Sequence, residues 1–258
     1  MRIRLDLSYD GTVFLGFQAQ PGGKTVQTVL EKALATVLGD AGRVVPSGRT
    51  DKGVHALEQP CQLDLKTPKA IERATKADFL IKLNALLPST VSVRKITIVK
   101  PEWHARKSAK RKTYVYVILI ARQRNPLLEN LAWRVFQPLA LAPMRKAAKL
   151  LLGKHDFTAF CASDSTVEDK TRTLHQLTLS TKNPFGLLAH PDDKFVVLTI
   201  TGSGFLKHMV RNIAGTLAAV GLGKITPAHI KTILASHDRS QAGLNAPPQG
   251  LFLQKVVY

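Results

Sequence analysis

Ser47-Gly48-Arg49-Thr50-Asp51-Lys52-Gly53-Val54-His55-Ala56 is the most informative stretch of the 258-residue chain. Two glycines bracket an Arg and an Asp, so the backbone can turn sharply and present Arg49 and Asp51 at one edge. Taken alone, these residues also describe an ordinary surface turn with a local Arg–Asp pair, which contributes little. The flanks place the turn between regular elements. Upstream, the spacing predicts a helix over Val26–Leu38, with Thr25 as N-cap, Gly39 as stop and Val26, Val29, Leu30, Ala33 and Val37 as its apolar face. Before that helix, Ile3, Leu5, Leu7 and Tyr9 alternate with Arg4, Asp6 and Ser8 as a strand that Asp10-Gly11-Thr12 breaks. Downstream, a strand is expected around Cys61, Leu63 and Leu65, then a short helix from Phe79 to Leu87 stopped by Pro88, then a strand from Val91 to Val99.

Between Trp103 and Thr113 the chain turns basic, with Arg106, Lys107, Lys110, Arg111 and Lys112. This run is read as the boundary between a subdomain at 1–108, which carries the Asp51 turn, and a second at 109–258. Strands are expected at Thr113–Ala121, Leu174–Ser180, Phe195–Gly202 and Leu251–Tyr258. Helices are expected at Met144–Leu152, with Pro143 in its first turn, at Leu206–Val220, and at Ala228–Ala235 behind Thr226 and Pro227. Strands and helices mix in both halves without a regular βαβα rhythm, which makes the fold class α+β: two mixed subdomains with antiparallel or mixed sheets. The last strand runs to Tyr258, so the C-terminus is expected to be built into a sheet.

Lys and Arg outnumber Asp and Glu by 37 to 18, a net charge of +19. Such an excess repels itself unless a polyanion shares it, which points to nucleic acid, with a membrane surface as the rival. No stretch approaches the ~20 apolar residues of a membrane span. The longest apolar run, Val115 to Ala121, reads better as a buried strand. Charges in Met1–Leu7 leave no secretory signal there, and a cytoplasmic location is expected. Cys61 and Cys161 are far apart, which argues against a disulfide framework and a cysteine-based zinc site. The eight histidines lack metal-ligand spacing, so His55, His104 and His155 read as turn or core residues. Gly202-Ser203-Gly204 lies between a strand and a helix, but Lys207 stands where a dinucleotide-binding loop has its third glycine.

The segment from Gly48 to His55 closely resembles the Gly-Arg-Thr-Asp-x-Gly-Val-His signature of the TruA family of tRNA pseudouridine synthases. Further blocks match in order: Tyr9-Asp10-Gly11-Thr12 with Phe14, Gly16 and Gln18; Thr25-Val26-Gln27 with Leu30-Glu31; and Asn84-Ala85-Leu86-Leu87-Pro88. His104-Ala105-Arg106 and Lys112-Thr113-Tyr114-Val115-Tyr116 follow. The second half adds Gly153-Lys154-His155-Asp156-Phe157 with Phe160, then Thr171-Arg172, Gly204-Phe205-Leu206, Met209-Val210-Arg211-Asn212 and Ala246-Pro247-Pro248 with Gly250-Leu251. Phe17 and Trp103 depart from the usual Trp and Phe but keep an aromatic ring. The stretches Ala162–Asp169 and Asn183–Asp193 are not diagnostic.

The resemblance implies the pseudouridine synthase fold, in which the two subdomains flank a central basic cleft. It also implies isomerisation of uridine at sites thirty-eight to forty of the tRNA anticodon stem-loop, by a homodimer that needs no metal and no redox cofactor. Asp51 matches the catalytic carboxylate, acting on the sugar as nucleophile or as base. A carboxylate kept from water needs a cation to hold its charge, and Arg211 matches the family's ion-pair partner. Tyr114 matches the aromatic that stacks on the target base. Arg49 is placed to contact the RNA as the nucleotide flips out of its stack. Without the family, Tyr114 reads as a core strand tyrosine and Arg211 as a solvated residue on an apolar helix. Two other functions remain open from the residues: a non-catalytic RNA-binding protein of the same fold, and a base-hydrolysing glycosidase. The latter normally uses a second carboxylate, and the closest to Asp51 is Glu58, seven residues on.

Overall fold

Alternating apolar residues at Ile3, Leu5 and Leu7 make β1 (Arg2–Tyr9) a strand whose one side is almost wholly buried. The computed structural model describes residues 1–39 and 42–258. The chain divides into two units, Met1–Lys110 with Phe252–Tyr258, and Arg111–Leu251. The architecture is α+β, with a mixed sheet in each unit.

In the first unit, β1 lies between β3 (His55–Asp64) and β4 (Val91–Val99), antiparallel to both, with Leu5 opposite Cys61 and Ile96. The short β2 (Val45–Pro46) pairs antiparallel with β3. The chain's last strand, β10 (Leu251–Val257), runs parallel to β3, with Phe252 opposite His55 and Leu253 opposite Ala56. The C-terminal Tyr258 closes this arrangement: its hydroxyl donates to the Ala105 carbonyl at 2.8 Å and its ring lies 4.9 Å from that of Trp103.

Helix α1 (Val26–Leu38) has the expected bounds because both ends carry stop signals. The Thr25 hydroxyl accepts from the Thr28 N–H, the Thr28 hydroxyl accepts from the Thr25 N–H, and Gly39 adopts φ 84°. Its buried face differs from expectation. Leu34 and Leu38 are buried with Val26, Leu30 and Ala33, whereas Val29 and Val37 are half-exposed. Buried Gln27 sets this rotation: its amide donates to Glu31 and to the Val44 carbonyl and accepts from Ala19. Helices α2 (Pro68–Thr75) and α3 (Phe79–Leu86) complete the unit. Periodicity did not announce α2, which buries only Ala70.

In the second unit, β5 (Arg111–Ile120) and β9 (Lys194–Gly202) pair antiparallel along their length. Beyond β9 come β8 (Thr171–Ser180) and the edge strand β7 (Gly153–Asp156), while β6 (Trp133–Val135) runs parallel to β5. Tyr116, Val117, Ile118 and Leu119 are buried in succession, so β5 is covered on both faces. Helix α4 (Leu141–Leu150) starts and ends earlier than expected; after its end, Gly153 at φ 98° already opens β7. Helix α5 (Met209–Gly221) begins three residues later than Leu206, because His208 sits at φ 63° and cannot continue a right-handed helix. Helix α6 (His229–Ser236) follows. Among the described residues, no helix is long and apolar enough to cross a membrane.

Candidate active site

The Asp51 turn is built from both sides. Entering it from β2, Ser47 is fully buried; its N–H donates to the Pro60 carbonyl at 2.8 Å and its hydroxyl to Gln59 Oε1 at 2.8 Å. The Gln59 amide returns a hydrogen bond to the Gly48 carbonyl. Further along, Val54 N–H donates to the Asp51 carbonyl at 3.2 Å. That bond closes a four-residue turn whose third residue, Gly53, lies at φ 76°, a conformation side chains resist. His55 then starts β3. Asp51 is half-buried and Arg49, two residues earlier, is exposed.

The loop after β1 grips the same turn. Tyr9 and Thr50 share a hydroxyl–hydroxyl bond of 2.8 Å, and Phe17 N–H donates to the Thr50 carbonyl at 3.1 Å. Gly16, at φ 106°, comes so near that a Cβ there would stand 2.8 Å from the Thr50 carbonyl oxygen. Gly11 N–H donates to His55 Nδ1 at 3.1 Å, and the His55 ring stacks on Phe252 at 4.7 Å. Asp10 accepts from the Thr12 N–H and hydroxyl and lies 3.2 Å from His55 Nδ1. Burial pushes the Asp10 carboxyl upward, but the Thr12 bonds and His55 outweigh it and hold it below the usual carboxylate range. Two sequence blocks far apart along the chain thus hold Thr50–Val54 between them.

In the second unit, Tyr114 on β5 is 8% exposed and meets the Phe205 ring edge-on at 5.0 Å. Arg211 lies in the first turn of α5 and is half-buried. Its Nε donates to the Ala246 carbonyl at 2.7 Å, and Ala246 N–H donates back to the Arg211 carbonyl at 3.3 Å. Tyr116, on the same side of β5 as Tyr114 by the period of two, donates its hydroxyl to the Pro247 carbonyl at 2.7 Å. Burial raises the Tyr116 phenol well above its ordinary range, against the opposing field of the Arg211 guanidinium. The fully buried Tyr116 and the Ala246-Pro247 carbonyls were not singled out from sequence. Their signal was only that Tyr116 and Ala246-Pro247-Pro248 belong to matching blocks.

The candidate residues therefore divide evenly, with Arg49 and Asp51 on one turn of the first unit and Tyr114 and Arg211 near α5 of the second. His55 is a core residue, and His104 holds a turn by accepting from Arg106 and Lys107 N–H. Among the described residues, no group of three or more His, Cys, Asp or Glu side chains could hold a metal ion.

Residues 147–258 match a family model described as tRNA pseudouridine synthase. The chain is 44% identical to a tRNA pseudouridine synthase A of Bacillus licheniformis, over 100% of this chain and 99% of that protein. A protein of the same name from Bacillus subtilis is 43% identical over the same shares, and one from a Thermoanaerobacter species is 41% identical over 99% of each chain. The chain belongs to the tRNA pseudouridine synthase family. Membership at this coverage makes it an isomerase of the tRNA-modifying class, and it spans its relatives essentially end to end. The turn from Gly48 to His55 and the other blocks quoted above lie within the aligned length.

Proposed function

We propose that this protein isomerises uridine to pseudouridine at sites thirty-eight to forty of the tRNA anticodon stem-loop, with Asp51 as the reacting carboxylate. In that reaction the C1′–N1 bond of the flipped nucleotide breaks, the uracil turns, and a C1′–C5 bond forms. C5 gives up its proton and N1 takes one, so atoms balance without a redox partner. Asp51 starts the sequence either by attacking C1′ or by taking the C2′ proton, and both routes begin from an ionised carboxylate. Arg211 is its ion-pair partner, Tyr114 offers a ring face to the detached base, and Arg49 contacts the RNA as the nucleotide leaves its stack.

The observation that carries this reading is the frame around the turn. A solvated surface turn needs no buried Ser47 anchor, no Tyr9–Thr50 bond and no glycine pressed against its carbonyl; a reacting group held to fractions of an ångström does. The charge of +19 supports a tRNA partner. We place the protein in the cytoplasm as a homodimer, in line with the family it belongs to. The test is direct: pseudouridine is mapped in tRNA after incubation with the purified protein. Pseudouridine at the three anticodon-arm sites is expected, and abasic sites or unmodified uridine there would contradict the reading.

A further inference from the structure

The segment after α6 lies along the first three turns of α5, from which Arg211 projects. At one end, Ala246 and Arg211 exchange hydrogen bonds through the arginine Nε, the two carbonyls and the Ala246 N–H. In the middle, Gly243 N–H donates to the Thr216 hydroxyl at 2.9 Å, and Thr216 in turn donates to the Asn212 carbonyl at 2.7 Å. The backbone there lies directly on the helix: a Cβ on Gly215 would stand 1.8 Å from the Leu244 carbonyl oxygen. At the other end, Arg239 Nη2 donates to Asn212 Oδ1 at 2.9 Å and Nη1 to the Ala242 carbonyl at 3.4 Å.

The Asn212 amide has one orientation open to it. The side chain is fully buried and its Nδ2 donates to the Phe160 carbonyl at 2.8 Å, so Oδ1 must face the guanidinium. The bond from Arg239 to this fixed acceptor is therefore charge-assisted, as is that from Arg211 to the Ala246 carbonyl at the other end of the segment. The neighbouring Asp238 carboxylate is occupied by the Ser240 N–H and hydroxyl, at 2.8 and 2.6 Å.

We infer that Arg239 is a positioning residue for the isomerisation: by bridging Asn212 and Ala242 it seats the segment 239–246 on α5, and the Ala246 carbonyl then fixes the plane of the Arg211 guanidinium. Nothing in the family resemblance or the motif blocks assigns Arg239 a role. The inference rests on the reading of Arg211 as the partner of Asp51. With Nε pinned, the two terminal nitrogens of Arg211 face one direction, as a planar fork must. Without the pin, a side chain with four rotatable bonds samples many geometries, and small misplacements near a reacting group cost up to about a hundredfold in rate.

The experiment is a double-mutant cycle on the single-turnover rate at saturating tRNA, with tRNA affinity measured alongside. Arg239→Ala is expected to slow the step at least about tenfold with affinity within about twofold, and Arg239→Lys to restore part of the loss. In an Arg211→Lys background, Arg239→Ala is expected to cost less than about threefold, because the group it positions is already changed. A full, multiplicative loss in that background overturns the inference, since it describes general damage to the fold. So does a wild-type rate for Arg239→Ala, or failure of Arg239→Lys to fold. Arg211→Lys at wild-type rate instead removes the reading of Arg211 itself, and the inference with it.

Discussion

Gly16 shows how a residue distant in sequence presses on the Asp51 turn in space. Its φ of 106° suits glycine, and any Cβ would meet the Thr50 carbonyl at 2.8 Å. Gly16→Ala must strain its own backbone or push the Asp51 turn aside, at a cost of about 1–3 kcal/mol. Expected is a tenfold or greater fall in the single-turnover rate, about the weight of 1.4 kcal/mol, with tRNA affinity little changed. Equal rates for variant and wild type would show that the turn is not held by this contact. At this scale the sequence was legible where chemistry is local. The glycine-bracketed turn and the positive φ at Gly53 belong to one short segment. The grip of Tyr9, Gly11 and Gly16 on that segment was not legible, because no local pattern states which distant loop a turn packs against. Tyr116 escaped for the same reason: an apolar run does not reveal which of its hydroxyls finds a carbonyl.

At the scale of elements, local signals decided what could be read. Helix α1 was legible to the residue because Thr25 and Gly39 mark its ends with side-chain and backbone hydrogen bonds. The reciprocal Thr25–Thr28 bonds predict that Thr25→Ala destabilises the protein by about 1 kcal/mol. Denaturant unfolding checks this: the midpoint should fall while the slope stays constant. An unchanged midpoint would mean that packing of Leu30, Leu34 and Leu38 alone sets the helix. By contrast, the start of α5 was misplaced because periodicity cannot show that His208 takes a left-handed conformation. Helix α2 was missed because a helix burying one alanine has no apolar stripe to read. The parallel pairing of β10 with β3 sets Phe252 opposite His55, segments from the two ends of the chain and beyond the reach of any local pattern.

Across the whole molecule, charge is the dominant property. An excess of 19 positive charges on 258 residues has a simple consequence for a polyanionic substrate. Each phosphate neutralised releases counterions, so the logarithm of affinity should fall against the logarithm of salt with a slope of about 0.7–0.9 per contact. For six or more contacts, tRNA affinity should drop roughly a thousandfold between about 50 and about 200 mM salt. Filter binding across that range checks it, and flat binding would contradict a phosphate-driven interface. The same charge would serve an RNA-binding protein without catalysis, so it bears on affinity and not on chemistry.

The proposed chemistry rests on one side chain. Asp51→Asn keeps the size and shape of the residue while removing its negative charge and turning one acceptor oxygen into a donor. Release of tritium from tRNA carrying C5-labelled uridine reports the loss of the C5 hydrogen directly. The variant is predicted to bind tRNA within about twofold of wild type, since phosphate contacts and not this carboxylate supply the affinity, and to release no tritium. Tritium release by Asp51→Asn at a rate comparable to wild type would show that the carboxylate in the glycine-bracketed turn is not the reacting group.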